Sequence, residues 1–449
     1  MLSIPRNCDV VVIGGGPAGT TAATRLAQNG YTVVLFDRER HPRYRVGESL
    51  IPHAWKYTDL TGASDKVREE GFLRKAGGTV VWNGVIRQMT FAEFGYRDPA
   101  LHIERDRYDF ILLEHARSQG VQAFEEVVVV RADLRGADAP VDVVYRATDT
   151  RGDDGCITCR FVVDASGQSA VLGKQLGTRV TDEGFRFMGL WGYFTGSKYV
   201  SSGGVVHPFE DLRDVPPTTF VSSLDALGDW GWMWHIPLRE STSVGLVIPR
   251  EYLGKDGRAA GLRSFFLDTV AGIPYLDRLL ENAQFVEGSL HAIRNYSYST
   301  TPMAGPGYFL IGDAGAFVDP IFSVGVVIAM YGGYLASWAI DRSLRRASST
   351  ERNQAIFAGQ LRGRLEVARS LALPRYAARG GVSALARDVV RFESSLEREL
   401  MYVVSNVTTR SDNMLEMTRG LDEQRITSPK YRTLDGLQFG PVAAGVPAQ

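Results

Sequence analysis

Residues 9 to 13, Asp-Val-Val-Val-Ile, run straight into Gly14-Gly15-Gly16-Pro17-Ala18-Gly19 and then into an alanine-rich stretch to about Gln28. This succession leaves the chain few folds. A short branched apolar run reads as a strand buried on both faces, and the segment after the glycines reads as a helix. Gly14 permits the tight turn, Gly16 lets backbone approach a pyrophosphate, and Gly19 allows close packing of helix on strand. The first helical turn, with Ala18, offers unpaired N–H donors to phosphate. A lone Gly-x-Gly-x-x-Gly is weak evidence, but here a second strand, Thr32 to Phe36, ends at Asp37. An acid about 20 residues beyond the glycines is the expected partner of an adenosine ribose. A Rossmann-like dinucleotide-binding unit is the expectation.

A distant segment, Tyr308-Phe-Leu-Ile-Gly312-Asp313-Ala-Gly-Ala-Phe-Val-Asp319-Pro320, again takes a strand to a glycine followed by an acid. Asp313 there suits a ribitol hydroxyl, which points to FAD rather than NAD. A helix is expected to begin near Ser323-Val324-Gly325, with its free amides facing the strand ends and able to stabilise negative charge. Ser323 reads equally well as a plain N-cap. No second fingerprint for a nicotinamide is present.

Fifty basic against fifty-one acidic residues leave a formal charge of -1, which gives no electrostatic footprint for nucleic acid or an anionic membrane. Small molecules and proteins are the expected partners. Three cysteines, Cys8, Cys156 and Cys159, are too few for a disulfide framework, and the N-terminal residues carry no apolar signal region, so a cytoplasmic location is expected. Cys156 and Cys159 would point to opposite faces of an extended segment, so no metal site is assigned. The longest apolar run, Gly325 to Ile340, falls short of the ~20 residues that span a bilayer. It reads as a buried helix.

The remainder alternates. Cofactor-binding pieces near residues 1–60, 100–175 and 300–340 interleave with an antiparallel-sheet lobe at about 78–98 and 185–295, making residues 1–340 one mixed α/β core. Within that lobe Phe185, Phe187, Trp191 and Tyr193 alternate with smaller residues, either as a sheet core or as a face for a planar substrate. In Trp232-Met233-Trp234-His235-Ile236-Pro237, an extended chain would set both tryptophans on one side as a paired indole wall. A charged connector, Arg342 to Asn353, is expected to lead into a helical C-terminal region (345–449). Its helices are expected over roughly Arg364 to Arg379 and Ala384 to Asn406, with a disordered tail from Gly440.

Taken with Arg45-Val46-Gly47-Glu48-Ser49, Lys75, Arg105-Asp106-Arg107-Tyr108-Asp109 and Asp164-Ala165-Ser166-Gly167, these motifs resemble the flavin-dependent halogenases, specifically the phenol or pyrrole branch. The resemblance covers most of residues 8 to 340. It implies that reduced FAD and oxygen oxidise a chloride or bromide ion to hypohalous acid, with FADH2 delivered by a separate flavin reductase. It also implies that Lys75 directs this oxidant onto an aromatic substrate, free or tethered to an acyl or peptidyl carrier protein. From spacing alone Lys75 reads as a solvated surface lysine. By the same resemblance Gly14, Gly16, Ala18, Gly19, Asp37, Arg45, Glu48, Ser49, Arg105, Asp313, Pro320 and Gly325 border FAD. The amides of Val324 and Gly325 match the halide position, Val324 standing where Ser or Thr is usual, and Trp232 and Trp234 wall the space between flavin and substrate. Phe322 replaces the glutamate of the tryptophan-halogenating branch, so a free indole is not the expected substrate. His53, His102 and His235 are unassigned candidates for a substrate base. An aromatic hydroxylase of the same fold, a polyprenyl reductase and a catalytically idle scaffold are the competing readings.

Overall fold

The computed structural model describes residues 3–372, apart from 83–84, 93–95, 97, 137–138, 149–153, 184–185, 225–230 and 254–260, together with 430–431. One sheet forms the nucleotide-binding half. Its six strands run in the order Ala304–Gly305, Tyr308–Leu310, Phe161–Asp164, Val10–Ile13, Val33–Asp37 and Gln122–Glu125. All neighbours are parallel except the first pair. Val10 to Val12 are wholly buried, as a central parallel strand covered on both faces requires. The helix Pro17–Gln28 follows the glycine turn and packs against the long helix Gly325–Arg345. The apolar run therefore is a buried helix, and no helix among the described residues is long and apolar enough to cross a membrane.

The second lobe is a nine-stranded sheet whose order is Gln284–Phe285, Phe187–Thr195, Thr242–Pro249, Trp232–Pro237, Thr218–Ser223, Gly77–Trp82, Val85–Thr90 and Lys430–Tyr431, with His291–Arg294 also paired to Phe187–Thr195. The lobe is antiparallel, as expected, except at one pairing. Gly77–Trp82 lies parallel to Thr218–Ser223, a pairing that about 140 intervening residues make invisible to local pattern. One face of this sheet packs on the nucleotide half through Val221, Trp232, Trp234, Ile236, Val247 and Trp191. The other face buries Met233, Leu246, Leu190 and Phe220 against Phe266 and Leu276.

The charged segment Arg342 to Asn353 is not a connector. It holds the last turn of one helix, a single 3-10 turn at Ala347–Ser349, and the start of the helix Thr350–Ala372. Charge is a poor guide here because both helix ends are solvated while Asn353 is buried and donates to Ser343 Oγ at 3.1 Å. The expected helix Ala384 to Asn406, the residues of Arg364 to Arg379 beyond Ala372, the tail from Gly440, and Phe185 lie outside the described residues.

Candidate active site

At the glycine turn the fit is steric. A Cβ on Gly19 would stand 1.9 Å from Gly14 O, and Gly14 itself has φ +106, so helix and strand meet backbone to backbone. Asp37 closes the second strand, and its carboxylate accepts from the Gly15 N–H at 2.7 Å and from the Arg43 guanidinium at 3.2 Å. Arg43 is not among the residues that the sequence pattern singles out. It bridges Asp37 to Asp109, donating to the latter at 2.9 Å, and Arg105 grips the same carboxylate with two N–H groups at 2.9 and 3.0 Å. Burial alone would raise the Asp109 pKa, but the charges of Arg105 and Arg43 outweigh it and hold the group ionised. The helical pair Arg105 and Asp109, four residues apart, is a usable signal in the sequence.

Several cofactor candidates gather here and others turn away. Ala18 lies against Gly312, so the two strand ends that carry Gly16 and Asp313 are neighbours. Burial lifts the Asp313 carboxyl to about 6, against the pull of Arg105. Arg45 sits half-exposed, paired with Glu39 at 2.9 Å and bonded to Tyr44 O. Glu48 is buried, accepts a short hydrogen bond from the Tyr193 hydroxyl, and is lifted by desolvation to about 7. Pro320 and Gly325 lie on either side of the turn that starts the long helix.

That turn differs from expectation. Val324 occupies the N-cap position and Ser323 makes no capping bond. Ser323 instead holds φ +58, a left-handed conformation that costs a non-glycine residue, and its hydroxyl donates to Ser49 Oγ at 3.0 Å. The amides of Val324 and Gly325 lie ahead of the first intrahelical acceptor and point out of the helix start.

Lys75 is not a surface residue. It ends the strand Leu73–Lys75, whose partner Ala100–His102 sets Lys75 opposite Ala100 and Leu73 opposite His102. Ser49 bridges to His102 on the far side, so Ser49, His102 and Lys75 share one face of a short ribbon. The amine is 5% exposed with its residue, donates to Ser49 Oγ at 2.8 Å and Leu50 O at 3.3 Å, and stands 5.4 Å over the Phe91 ring. No carboxylate pairs with it among the described residues. Desolvation pulls its pKa from 10.5 to about 7. Phe91 meets Tyr96 edge-on at 6.2 Å, and Tyr96 with Pro52, His53 and Trp55 lines a groove of about 570 Å³. The contacts thus run from groove to amine through two aromatic rings.

Trp232 and Trp234 do share a face, with ring centroids 5.7 Å apart. In register across the sheet lie Val221, Trp234, Gly245, Trp191 and His291. A Cβ on Gly245 would meet the Trp234 indole at 2.1 Å, so the glycine is what lets that ring lie flat over the sheet. Trp191 stands 6.4 Å from Trp234 and makes a short bond to the Tyr44 hydroxyl. His235 points the other way, bonded to Ser197 at 2.7 Å and pushed by burial to about 4, and takes no part in this face.

The motif Cys156-x-x-Cys159 lies within one strand, Asp154–Cys159, with Cys156 exposed and Cys159 buried. All three cysteines are free, and no cluster of metal-ligating residues occurs among the described residues.

Among the described residues the buried Arg43 Nε has no hydrogen-bond partner, and a Cβ on Gly16 would come no nearer than 3.7 Å to another group, so backbone there is open to approach. Both suit the phosphates and ribose of FAD. Residues 86–380 match the tryptophan halogenase family model and residues 8–130 the pyridine nucleotide-disulphide oxidoreductase model. Among curated relatives, the tryptophan 2-halogenase of Chondromyces crocatus is 33% identical over 80% of this chain and 66% of its own length. The flavin-dependent halogenase armH1 of Armillaria mellea is 33% identical over 76% and 66%. The chain thus spans about two thirds of the length of these relatives. Among solved structures, the myxobacterial chondrochloren halogenase CndH superposes with a TM-score of 0.75 at 28% identity, covering 92% of this chain and 96% of that one. The flavin-dependent halogenase CmlS gives 0.75 at 27%, covering 93% and 76%. On the extent of these matches, the chain belongs to the flavin-dependent halogenase family.

Proposed function

We propose that this protein is an FADH2-dependent halogenase that uses oxygen and chloride or bromide to halogenate an electron-rich aromatic, a phenol or pyrrole, free or carrier-bound. The carrying observation is Lys75, a buried amine without a counter-charge among the described residues, placed two aromatic rings from an open groove. When bound in reduced form, FAD with oxygen and halide supplies hypohalous acid.

The protein's own residues then position and shield. Gly14, Gly16, Ala18 and Gly19 would carry the pyrophosphate, Asp37 and Arg43 the adenosine ribose, and Asp313 the ribitol chain. Arg105, Glu48, Pro320 and Gly325 would border the ring system. The amides of Val324 and Gly325 would hold the halide with the positive end of a 21-residue helix. Lys75 would donate a hydrogen bond to hypohalous acid and aim it at the substrate carbon. Trp232, Trp234 and Trp191 exclude water from the interior between the lobes. Among the described residues Phe322 stands buried and apolar at the helix start, which favours rings that supply their own electron density. The relative named a tryptophan 2-halogenase supports a second reading, an indole substrate, and indoles belong in the test panel.

Free cysteines accord with a cytoplasmic setting, where a separate flavin reductase would furnish FADH2. Purified protein with FAD, NADH, oxygen and halide should halogenate the panel only after a flavin reductase is added. Rapid NADH oxidation by the protein alone would remove the two-component reading.

A further inference from the structure

Lys75 donates to a hydroxyl that is itself fully committed. Ser49 Oγ accepts from Lys75 Nζ at 2.8 Å and from Ser323 Oγ at 3.0 Å, and lies 3.1 Å from Thr219 Oγ1. A hydroxyl has one proton and two acceptor sites. With both lone pairs taken, its proton goes to Thr219. Thr219 in turn lies 2.8 Å from His102 Nε2, and His102 is wholly buried. Each hydroxyl has only one proton to give, so the bonds point one way, from lysine to histidine.

We propose that Thr219 and His102 are positioning residues for Lys75: through Ser49 they lock a one-way hydrogen-bonded line that keeps the lysine amine a proton donor toward the oxidant. This rests on the reading of Lys75 given above. The elements converge because Ser49, His102 and Lys75 share a ribbon face, while Thr219 belongs to the inner face of the large sheet, opposite Gly78. Ser323 is held at positive φ where its hydroxyl closes the second acceptor site of Ser49.

Burial keeps His102 neutral, with the Lys75 charge acting in the same direction, and a neutral ring that accepts from Thr219 at Nε2 carries its proton on Nδ1. Among the described residues, His235, which acts on His102 through space, is turned to the opposite sheet face, and Glu48, next to Ser49, is turned to Tyr193. Neither touches the line. If Thr219 loses its hydroxyl, the Ser49 proton can swing round and donate to the unprotonated amine. That favours neutral Lys75 and lowers its pKa.

Competitive trace acetylation of the protein with acetic anhydride across pH, read at the Lys75 peptide by mass spectrometry, measures the amine directly. Thr219→Val should lower the Lys75 midpoint by about one pH unit, a ~10-fold rise in labelling below the midpoint. His102→Leu should do the same from the other end. Thr219→Ser and His102→Gln, which retain a donor or acceptor, should follow the unmutated protein. Melting curves of each variant identify any that has unfolded. Unchanged midpoints in folded Thr219→Val and His102→Leu would overturn the line. Because labelling needs no turnover, that failure is separate from a failure to halogenate, which would strike the reading of Lys75 instead.

Discussion

Trp234 and Gly245 face each other directly across two antiparallel strands, and the indole lies where the glycine's side chain would begin, 2.1 Å from an added Cβ. On its other side Gly245 pairs with Trp191, so the two tryptophans flank one glycine. Gly245→Val should force Trp234 off the sheet at about 1–3 kcal/mol. A lowered melting temperature with a changed tryptophan emission spectrum checks this. An unaltered spectrum would mean the indole does not depend on that space.

The Asp37–Arg43–Asp109–Arg105 ladder predicts an asymmetric response. Asp109→Asn removes the charge between two largely buried guanidiniums, and breaking a buried pair costs about 3–5 kcal/mol. Arg45, half-exposed and paired only at the surface with Glu39, should cost about 1 kcal/mol or less when changed to alanine. Urea titration of both variants distinguishes them, and equal losses would contradict the assignment.

Burying an ammonium without a counter-charge is a stability penalty that chemistry at Lys75 requires. The folded pKa is near 7 against an ordinary 10.5, so the folded state binds fewer protons between those values and stability rises with pH across that window. Below about pH 7 the penalty is complete. Lys75→Met should therefore raise the melting temperature most at or below neutral pH, and its advantage should fade toward pH 10 by about 1.4 kcal/mol for each pH unit climbed. A gain independent of pH would assign it to packing alone.

Glu48 carries the opposite sign. Its folded pKa is raised from 4.5 to about 7, so the folded state holds the extra proton and stability falls as pH rises through that interval. Glu48→Gln should flatten this fall. Melting measured at pH 5 and pH 7 gives the slope, and an identical slope in the variant would show that Glu48 does not titrate there.

How much of this is legible in the sequence depends on how local each cause is. The turn Gly14 to Gly19, Asp37 at the second strand end, the same-side tryptophans and the buried helix from Gly325 all follow from spacing within one element. Lys75 does not. Its neighbour Arg74 is exposed, and only pairing with residues 100–102 and cover from Ser49, Leu50 and Phe91 buries the amine. Arg43 escapes a local reading because it acts through Asp109, 66 residues away. Ser323 matches a helix cap by type, but tertiary contact with Ser49 claims its hydroxyl and its backbone takes a left-handed turn.

The central claim is that Lys75 delivers an oxidised halogen to an aromatic ring. Phenols, pyrroles and indoles, free and carrier-bound, would be incubated with the protein, FAD, a flavin reductase, NADH, oxygen and chloride or bromide, and products read by mass spectrometry. Halogen isotope patterns that follow the halide supplied and fall at least ~100-fold in Lys75→Ala are the predicted result. Products that gain one oxygen whatever the halide and whatever stands at residue 75 would contradict it and establish a hydroxylase.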